Sequence, residues 1–243
     1  MPAASPLAAF ARRSLPLARG LASVQAQRWQ PGRADGVLHG EIFASSREGS
    51  GAGLALALAL DAMAAQVPDP LADVPDQRAW LWVQDVQAVR LTGRPYRPGL
   101  PSTLRHRLIH VAAKGPEDTL FALEEGLRCR DLAFVIGELA GNPRALDFTA
   151  SRRLSLTAQR HGIPLWLVRL DARRDLSSAR QRWETRAAAS LPPRWNPQAP
   201  GAASWQAELF RARSHPPGTW RLHEAEGRLA VEDDPVVAPH HPA

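Results

Sequence analysis

Short apolar runs alternate with helix-forming segments along this chain, and no other feature constrains its fold as strongly. The run at 79–83 is apolar throughout, which is typical of strands buried on both faces of a parallel sheet. Helical signals lie between such runs. Pro116 stands where a first helical residue is favoured, and Asp147 can cap a helix that stops before Gly162. This alternation predicts an α/β fold with a mainly parallel sheet.

The parallel part is predicted to contain five strands and three helices. The strands are placed at 36–43, 79–83, 108–111, 132–136 and 165–170. The helices are placed at 52–66, 116–128 and, after the Asp147 cap, up to His161.

The pattern changes after about Ser177, where apolar and polar residues alternate at period two. Four segments show it: 182–187, 204–211, 219–223 and 228–231. Such alternation indicates strands with one wet face, and these usually pair in antiparallel fashion. We therefore expect antiparallel C-terminal hairpins that extend one edge of the parallel sheet.

Three regions are predicted: a basic, weakly ordered arm at 1–34, one domain at 35–232, and a disordered tail at 233–243. Five arginines precede the first acidic residue, Asp35: Arg12, Arg13, Arg19, Arg28 and Arg33. A transit peptide and a short docking helix are alternative interpretations of this arm.

Charge and cysteine content limit the compartment and the partners. The net charge is +6, and Lys114 is the only lysine among 30 basic residues. Arginine suits phosphate and carboxylate recognition, which favours nucleic acid or an acidic protein as partner; a base-composition bias of the genome would explain the same excess. The single cysteine, Cys129, indicates a reducing, cytoplasmic setting and is expected to be buried. No run reaches the roughly 20 apolar residues of a membrane helix.

A glycine-rich turn between the first strand and first helix is the setting of a phosphate-binding loop. The pattern GxxxxGK[ST] aligns with residues 46–53. The second glycine is present as Gly51, but Ser46 replaces the first glycine, Ala52 the lysine and Gly53 the hydroxyl residue. The turn glycine Gly49 also lies in this degenerate loop. Without the cation and the magnesium ligand, no nucleotide or metal cofactor is expected.

Two carboxylates follow predicted strands, and neither repairs this loss. Asp85 and Glu138 lie at the C-terminal ends of strands, where ligands bind in open α/β sheets. They are interpreted as polar residues of the sheet edge, with a metal site as the alternative.

Nine blocks of sequence together resemble the ImuA proteins, RecA-like accessory factors of bacterial mutagenic DNA repair. They span about residues 37 to 223 in a consistent order. The blocks are 38–41 (Leu-His-Gly-Glu), 80–85 (Trp-Leu-Trp-Val-Gln-Asp), 94–100, 123–129, 135–139, 146–154, 179–183, 205–213 and 216–220.

The resemblance implies a RecA-like, phosphate-loop-type three-layer fold and a role in damage-induced (SOS) translesion synthesis. The implied partners are an ImuB-type inactive Y-family polymerase, an error-prone DNA polymerase III alpha-type subunit and RecA. No catalytic residue carries over, so the chain is predicted to be a non-catalytic accessory protein. A nucleotide-dependent RecA-like ATPase and a direct DNA-binding module are the alternatives.

Two arginine-rich segments are candidate contacts for DNA or an acidic partner. One follows the second strand and contains Arg94, Arg97, Arg105 and Arg107; the other is the polar side of the last helix, with Arg152, Arg153 and Arg160. Ordinary loop structure and a solvated helix face are the alternative interpretations. Of the eight tryptophans, Trp80, Trp82 and Trp166 are predicted core residues, while Trp183, Trp205 and Trp220 either pack the hairpins or anchor a partner.

Overall fold

The computed structural model describes residues 27–33, 36–65, 76–193, 195–225 and 227–232. Its strands are β1 (His39–Ala44), β2 (Ala79–Gln84), β3 (Leu108–Ala112), β4 (Leu132–Ala140), β5 (Leu165–Leu170), β6 (Gln181–Ala187), β7 (Ser204–Ala212), β8 (Gly218–Ala225) and β9 (Arg228–Val231). Its helices are α1 (Ser50–Ala64), α2 (Val86–Thr92), α3 (Ser102–Arg105), α4 (Pro116–Arg128) and α5 (Phe148–His161), with a short 3₁₀ turn at Arg97–Gly99.

All nine strands form one sheet in the order β3-β2-β4-β5-β1-β6-β7-β8-β9. Strands β1 to β6 pair in parallel, and β6 to β9 continue the sheet as antiparallel neighbours. The predicted mixed α/β class and the antiparallel C-terminal extension are confirmed.

Helices cover the two faces of the sheet and give the domain three layers. Helix α1 packs on one face, where Trp80, Phe134 and Trp183 belong to the same apolar core. Helices α4 and α5 pack on the other face, where Leu123 and Leu154 meet Leu167. Strands β2 and β4 are buried on both faces, so their side chains belong to both cores, as their mainly apolar sequences predict.

The ends of α5 follow from local chemistry. The Asp147 carboxylate accepts a hydrogen bond from the Ala150 backbone N–H at 2.7 Å, which satisfies a donor that the first helical turn leaves open. Gly162 adopts the left-handed conformation (φ 71°) that ends many helices. Both predicted limits of this helix are confirmed.

Strand β4 and helix α2 differ from the prediction. Strand β4 extends to Ala140, four residues beyond its predicted end, because β5 pairs with it as far as Leu170. Helix α2 was not predicted. Asp85 caps it through the Ala88 N–H at 2.5 Å, and only seven residues follow, too few for a clear helical period.

Part of the predicted arm belongs to the packed domain. Trp29 is only 4% exposed and packs edge-on against Trp183 and Trp220, while the Gly32 N–H donates to the Asp61 carboxylate at 2.9 Å. The remainder of the arm, 1–26, and the tail from 233 lie outside the described residues.

Predictions for single apolar and sulfur side chains have mixed outcomes. Trp80, Trp82 and Trp166 are buried, as predicted. Trp183, Trp205 and Trp220, in strands β6 to β8, are buried as well, which favours the packing interpretation for them. The prediction of a buried thiol is wrong: Cys129 follows the last residue of α4 and is exposed. No helix within the described ranges has the length and apolar character of a membrane span.

Candidate functional site

The loop between β1 and α1 lies at the C-terminal edge of the parallel strands, and its second glycine permits a close approach. A Cβ atom added at Gly51 would lie 2.7 Å from the Ala44 Cβ and 2.9 Å from Cγ1 of Val168. Both distances are well inside van der Waals contact, so only glycine fits here without a shift. Gly51 therefore brings the start of α1 against β1 and β5, as glycines do at helix–strand contacts.

The cavity beside this loop is lined by acidic side chains. It has a volume of about 290 Å³, and Glu48, Asp171 and Glu184 line it together with one guanidinium group, that of Arg186. Such a volume lies at the lower limit of the usual range of small-molecule sites, which begins at about 300 Å³. Since Glu184 is paired with Arg174, the carboxylates of Glu48 and Asp171 are the charges that oppose the binding of a polyphosphate, whose own charge is negative.

These carboxylates also occupy hydrogen-bond donors of the loop. The Ser46 backbone N–H donates to Asp171 Oδ1 at 3.0 Å. The Glu48 carboxylate accepts from the Ser50 hydroxyl at 2.9 Å and from the Ala187 N–H at 3.1 Å. Hydrogen bonds from Ser46 lower the pKa of Asp171 despite the opposing effect of burial, so this side chain is anionic at neutral pH. Loop donors that could hold a phosphate thus hold the chain's own carboxylates.

Ala52 and Gly53 stand where the phosphate-loop pattern has its lysine and its hydroxyl residue, and neither lines the acidic cavity. Both residues line an apolar groove of about 680 Å³ beside α1 instead. A Cβ atom at Gly53 would lie 3.2 Å from the indole Nε1 of Trp205. A β-branched side chain there would crowd the indole.

Asp85 and Glu138 take structural positions. Asp85 caps α2, and buried Glu138 accepts from the Trp82 indole at 2.9 Å and the Gln84 amide at 3.0 Å. Burial raises the pKa of Glu138, although these hydrogen bonds act in the opposite direction. Among the described residues, no group of three or more His, Cys, Asp or Glu side chains is placed to hold a metal ion.

The first predicted arginine cluster is engaged in its own loop. Arg97 donates to the Leu108 carbonyl at 3.1 Å, and Arg105 donates to the Leu100 carbonyl at 3.2 Å. Arg107 donates to one backbone carbonyl in α3 and to two just before β2, while Arg94 is exposed. Three of these four guanidinium groups therefore brace the connection between β2 and β3.

The second cluster lies on the exposed side of α5, as its helical spacing predicts. Arg152, Arg153 and Arg160 are exposed, whereas Ala150 and Leu154 are buried. Arg153 forms an ion pair with Glu124 of α4, and Arg152 lines a second cavity between α5 and the end of β7. The structure therefore gives Arg152 and Arg153 different surroundings, and Arg160 is simply exposed.

Sequence reasoning missed a buried polar network between β1, α5 and the crossover from β5 to β6. His39 Nδ1 lies 2.6 Å from the Ser155 hydroxyl, which in turn lies 2.6 Å from that of Ser178. The Ser151 hydroxyl lies 2.9 Å from that of Ser177. One sequence signal was available: two serines stand four residues apart on the apolar side of α5.

The network ends in ion pairs around Glu41. The Ser177 hydroxyl and the Arg182 Nε both donate to the Glu41 carboxylate, each at 2.7 Å. Asp175 completes the cluster by pairing with Arg169 at 3.1 Å and with Arg182 at 3.5 Å. Each buried charge therefore has a partner of opposite sign, as burial requires.

The contact between His39 and Ser155 resembles the histidine–serine pair of hydrolases, but its chemistry differs. Burial, with a smaller contribution from Arg182, lowers the pKa of His39 to about 4, although Glu41 acts in the opposite direction. An imidazole with this pKa is a weak base at neutral pH. Its Nε2 has no hydrogen-bond partner in the described part of the chain, whereas a catalytic base is oriented by a carboxylate. The pair is therefore structural.

His39 is expected to make the fold sensitive to mild acid. Its folded pKa of about 4 lies below its ordinary value of 6.5, so the unfolded chain binds the extra proton between these values. Stability is then full above about pH 6.5 and falls as the pH drops, by about 2 kcal/mol at pH 5. Urea unfolding at pH 7 and pH 5 should show that His39→Asn loses less of its unfolding free energy than the wild type. His106→Asn, at an exposed position, serves as the control; equal losses in all three proteins would contradict the assignment.

Comparison with known proteins leaves the site to be interpreted from its geometry. No protein-family model matches the chain. No curated protein matches it significantly.

Proposed function

We propose that this chain is a RecA-like, non-catalytic accessory protein of damage-induced mutagenic translesion DNA synthesis in the cytoplasm. The proposal has two parts with different support. The absence of nucleotide chemistry rests on the acidic cavity at the β1–α1 loop. The pathway and the partners rest on the resemblance of the nine sequence blocks to the ImuA family.

The observation that carries the first part is the occupation of the loop by carboxylates. Phosphoryl transfer depends on positive groups that neutralise the terminal phosphates. Here Asp171 and Glu48 accept hydrogen bonds from the loop, and Ala52 provides no cation. A nucleotide would have to displace these internal anions without a lysine or a magnesium ligand. This disfavours the alternative of a nucleotide-dependent ATPase.

A strand–turn–helix unit that lacks the residues for nucleotide hydrolysis suits a protein that acts by binding other proteins. The implied partners are the ImuB-type inactive polymerase, the error-prone polymerase III alpha-type subunit and RecA. In this view α1 and its glycine turn are retained because Gly51 packs the helix on the sheet. The fold then serves as a rigid platform for the assembly.

The test combines complex formation with nucleotide binding. The purified chain is expected to bind the ImuB-type polymerase in biolayer interferometry, with the same affinity with and without millimolar Mg·ATP. Calorimetry of the chain alone should show no heat of ATP binding. Leu176→Ala, a change at an exposed position, is the control for the Gly51→Ala and Asp171→Asn variants used below.

Two results would overturn the proposal. One is magnesium-dependent ATP turnover that is lost in both Gly51→Ala and Asp171→Asn. The other is no complex with the polymerase at micromolar concentrations of a folded chain.

A further inference from the structure

Four arginines from three separate segments meet in one cavity that no part of the proposed function uses. Arg152 comes from α5, Arg180 from the crossover before β6, and Arg211 and Arg213 from the end of β7 and just beyond. The cavity has a volume of about 440 Å³, and no acidic side chain lines it. We call this place the arginine cavity.

Backbone pairing brings these arginines together. The Arg213 N–H donates to the Arg180 carbonyl at 3.0 Å, and Arg211 lies opposite Arg182 in the β6–β7 ladder. The Gln159 amide oxygen, in the orientation that satisfies its hydrogen bonds, accepts from Arg180 at 2.9 Å. The arginines are therefore held by helix α5 and by the backbone pairing at one end of the β6–β7 hairpin.

The charges of the arginine cavity are not compensated within the fold. Among the ion pairs of the described residues, none uses any of the four guanidinium groups of this cavity. Elsewhere the same domain pairs its buried arginines with Glu41 and Asp175. Like charges gathered in a concave site repel one another and raise the local concentration of anions.

The remaining lining supplies flat apolar surface. Ser155 and Ser178 also line it, although their hydroxyls are engaged in the buried network, and Phe148 and Leu156 flank it with about half of their surfaces exposed. Phosphate groups suit the guanidinium forks, and an exposed aromatic ring beside them can stack on a base. The faces of the bases are available for stacking in a single strand but are covered inside a double helix, so the exposed Phe148 ring favours a single strand.

We infer that the arginine cavity binds the backbone of single-stranded nucleic acid, with Phe148 stacking against a base. This goes beyond the proposed protein contacts and does not depend on them. The arginines act as phosphate ligands, so binding is expected to be insensitive to sequence and strongly dependent on salt.

The experiment uses fluorescence anisotropy of a labelled oligo-dT with the full chain. Arg211→Ala/Arg213→Ala, at two exposed positions, is expected to weaken binding at least about tenfold and to reduce the salt slope by about 1.4, the value for two phosphates on a single strand. Phe148→Ala is expected to cost at least about fivefold, the lower end of one stacking contact. The control Arg90→Ala/Arg130→Ala removes the same charge at exposed positions elsewhere. It should change binding less than about twofold, because salt screens the effect of distant charges.

Several outcomes would overturn the inference. Equal losses in the two double variants would mean that net charge alone attracts the strand. Competition by poly-glutamate as strong as that by oligo-dT would assign the cavity to an acidic peptide. Full displacement by millimolar inorganic phosphate would indicate a simple anion site. The same variants are expected to keep their affinity for the polymerase partner, so failure here is distinguishable from failure of the proposed function.

Discussion

Replacing Glu41 with alanine is expected to lower the free energy of unfolding by about 3–5 kcal/mol, because it removes one partner of a buried ion pair. Glu41 is fully buried, and its carboxylate accepts the Arg182 Nε at 2.7 Å and the Ser177 hydroxyl at 2.7 Å. Without it, the longer contact with Asp175 is the ion pair that Arg182 keeps among the described residues. Urea unfolding at pH 7, monitored by tryptophan fluorescence, measures the loss.

A surface pair and a double variant supply the controls for this result. Glu125→Ala breaks the exposed pair with Arg128 and should cost less than about 1 kcal/mol. Glu41→Ala/Arg182→Met removes both charges and should lose less than the sum of the two single changes, since residues in contact are not additive. A loss below about 1 kcal/mol for Glu41→Ala would show that the cluster is solvated rather than buried.

Replacing Trp183 with alanine is expected to cost about 3–5 kcal/mol, the usual range for removing a buried large aromatic side chain. Trp183 lies in β6 with none of its surface exposed. Its ring centre is 4.7 Å from that of Trp29 and 5.7 Å from that of Trp220. The change therefore opens a cavity where β6, β8 and residues 27–33 meet.

Limited proteolysis gives a second measurement of the Trp183 variant. Loss of the ring should loosen residues 27–33, so cleavage near Arg28 is expected to accelerate at a temperature where the domain remains folded. Trp195→Ala, at a position that is 81% exposed, should leave both stability and cleavage unchanged. If Trp183→Ala behaves like Trp195→Ala, the aromatic cluster does not hold the antiparallel strands to the domain.

Local patterns predicted most strands and helices because their causes are local. Helix α5 is specified by the Asp147 cap, the apolar spacing and Gly162, all within 16 residues. Strand β4 was predicted too short, since Gly137 and Glu138 look like strand breakers. Pairing on both sides, with β2 and β5, satisfies their backbone groups and overrides this local signal.

The β1–α1 loop and the arginine-rich segments show the same division. The sequence shows that Ala52 and Gly53 stand where the phosphate-loop pattern has a lysine and a hydroxyl residue. The carboxylate that accepts the loop's N–H comes from Asp171, 125 residues beyond Ser46. Of the seven arginines chosen from sequence clusters, only Arg152 lines the arginine cavity. A run of arginines along the chain does not reveal which guanidinium groups already bind carbonyls or carboxylates.

The amino-acid sequence by itself determined the alternation of strands and helices, the antiparallel pairing of the C-terminal strands, and the absence of a lysine at position 52 and of a hydroxyl residue at position 53. These follow from hydrophobic period and from residue identity, which act over a few positions. Only the tertiary structure decided the partners of Glu41 and the meeting of Arg152, Arg180 and Arg211. The reason is physical: a sheet with crossovers joins residues that lie far apart in the chain, such as Glu41 and Arg182 or Arg152 and Arg211, and short-range patterns carry no information about such pairs.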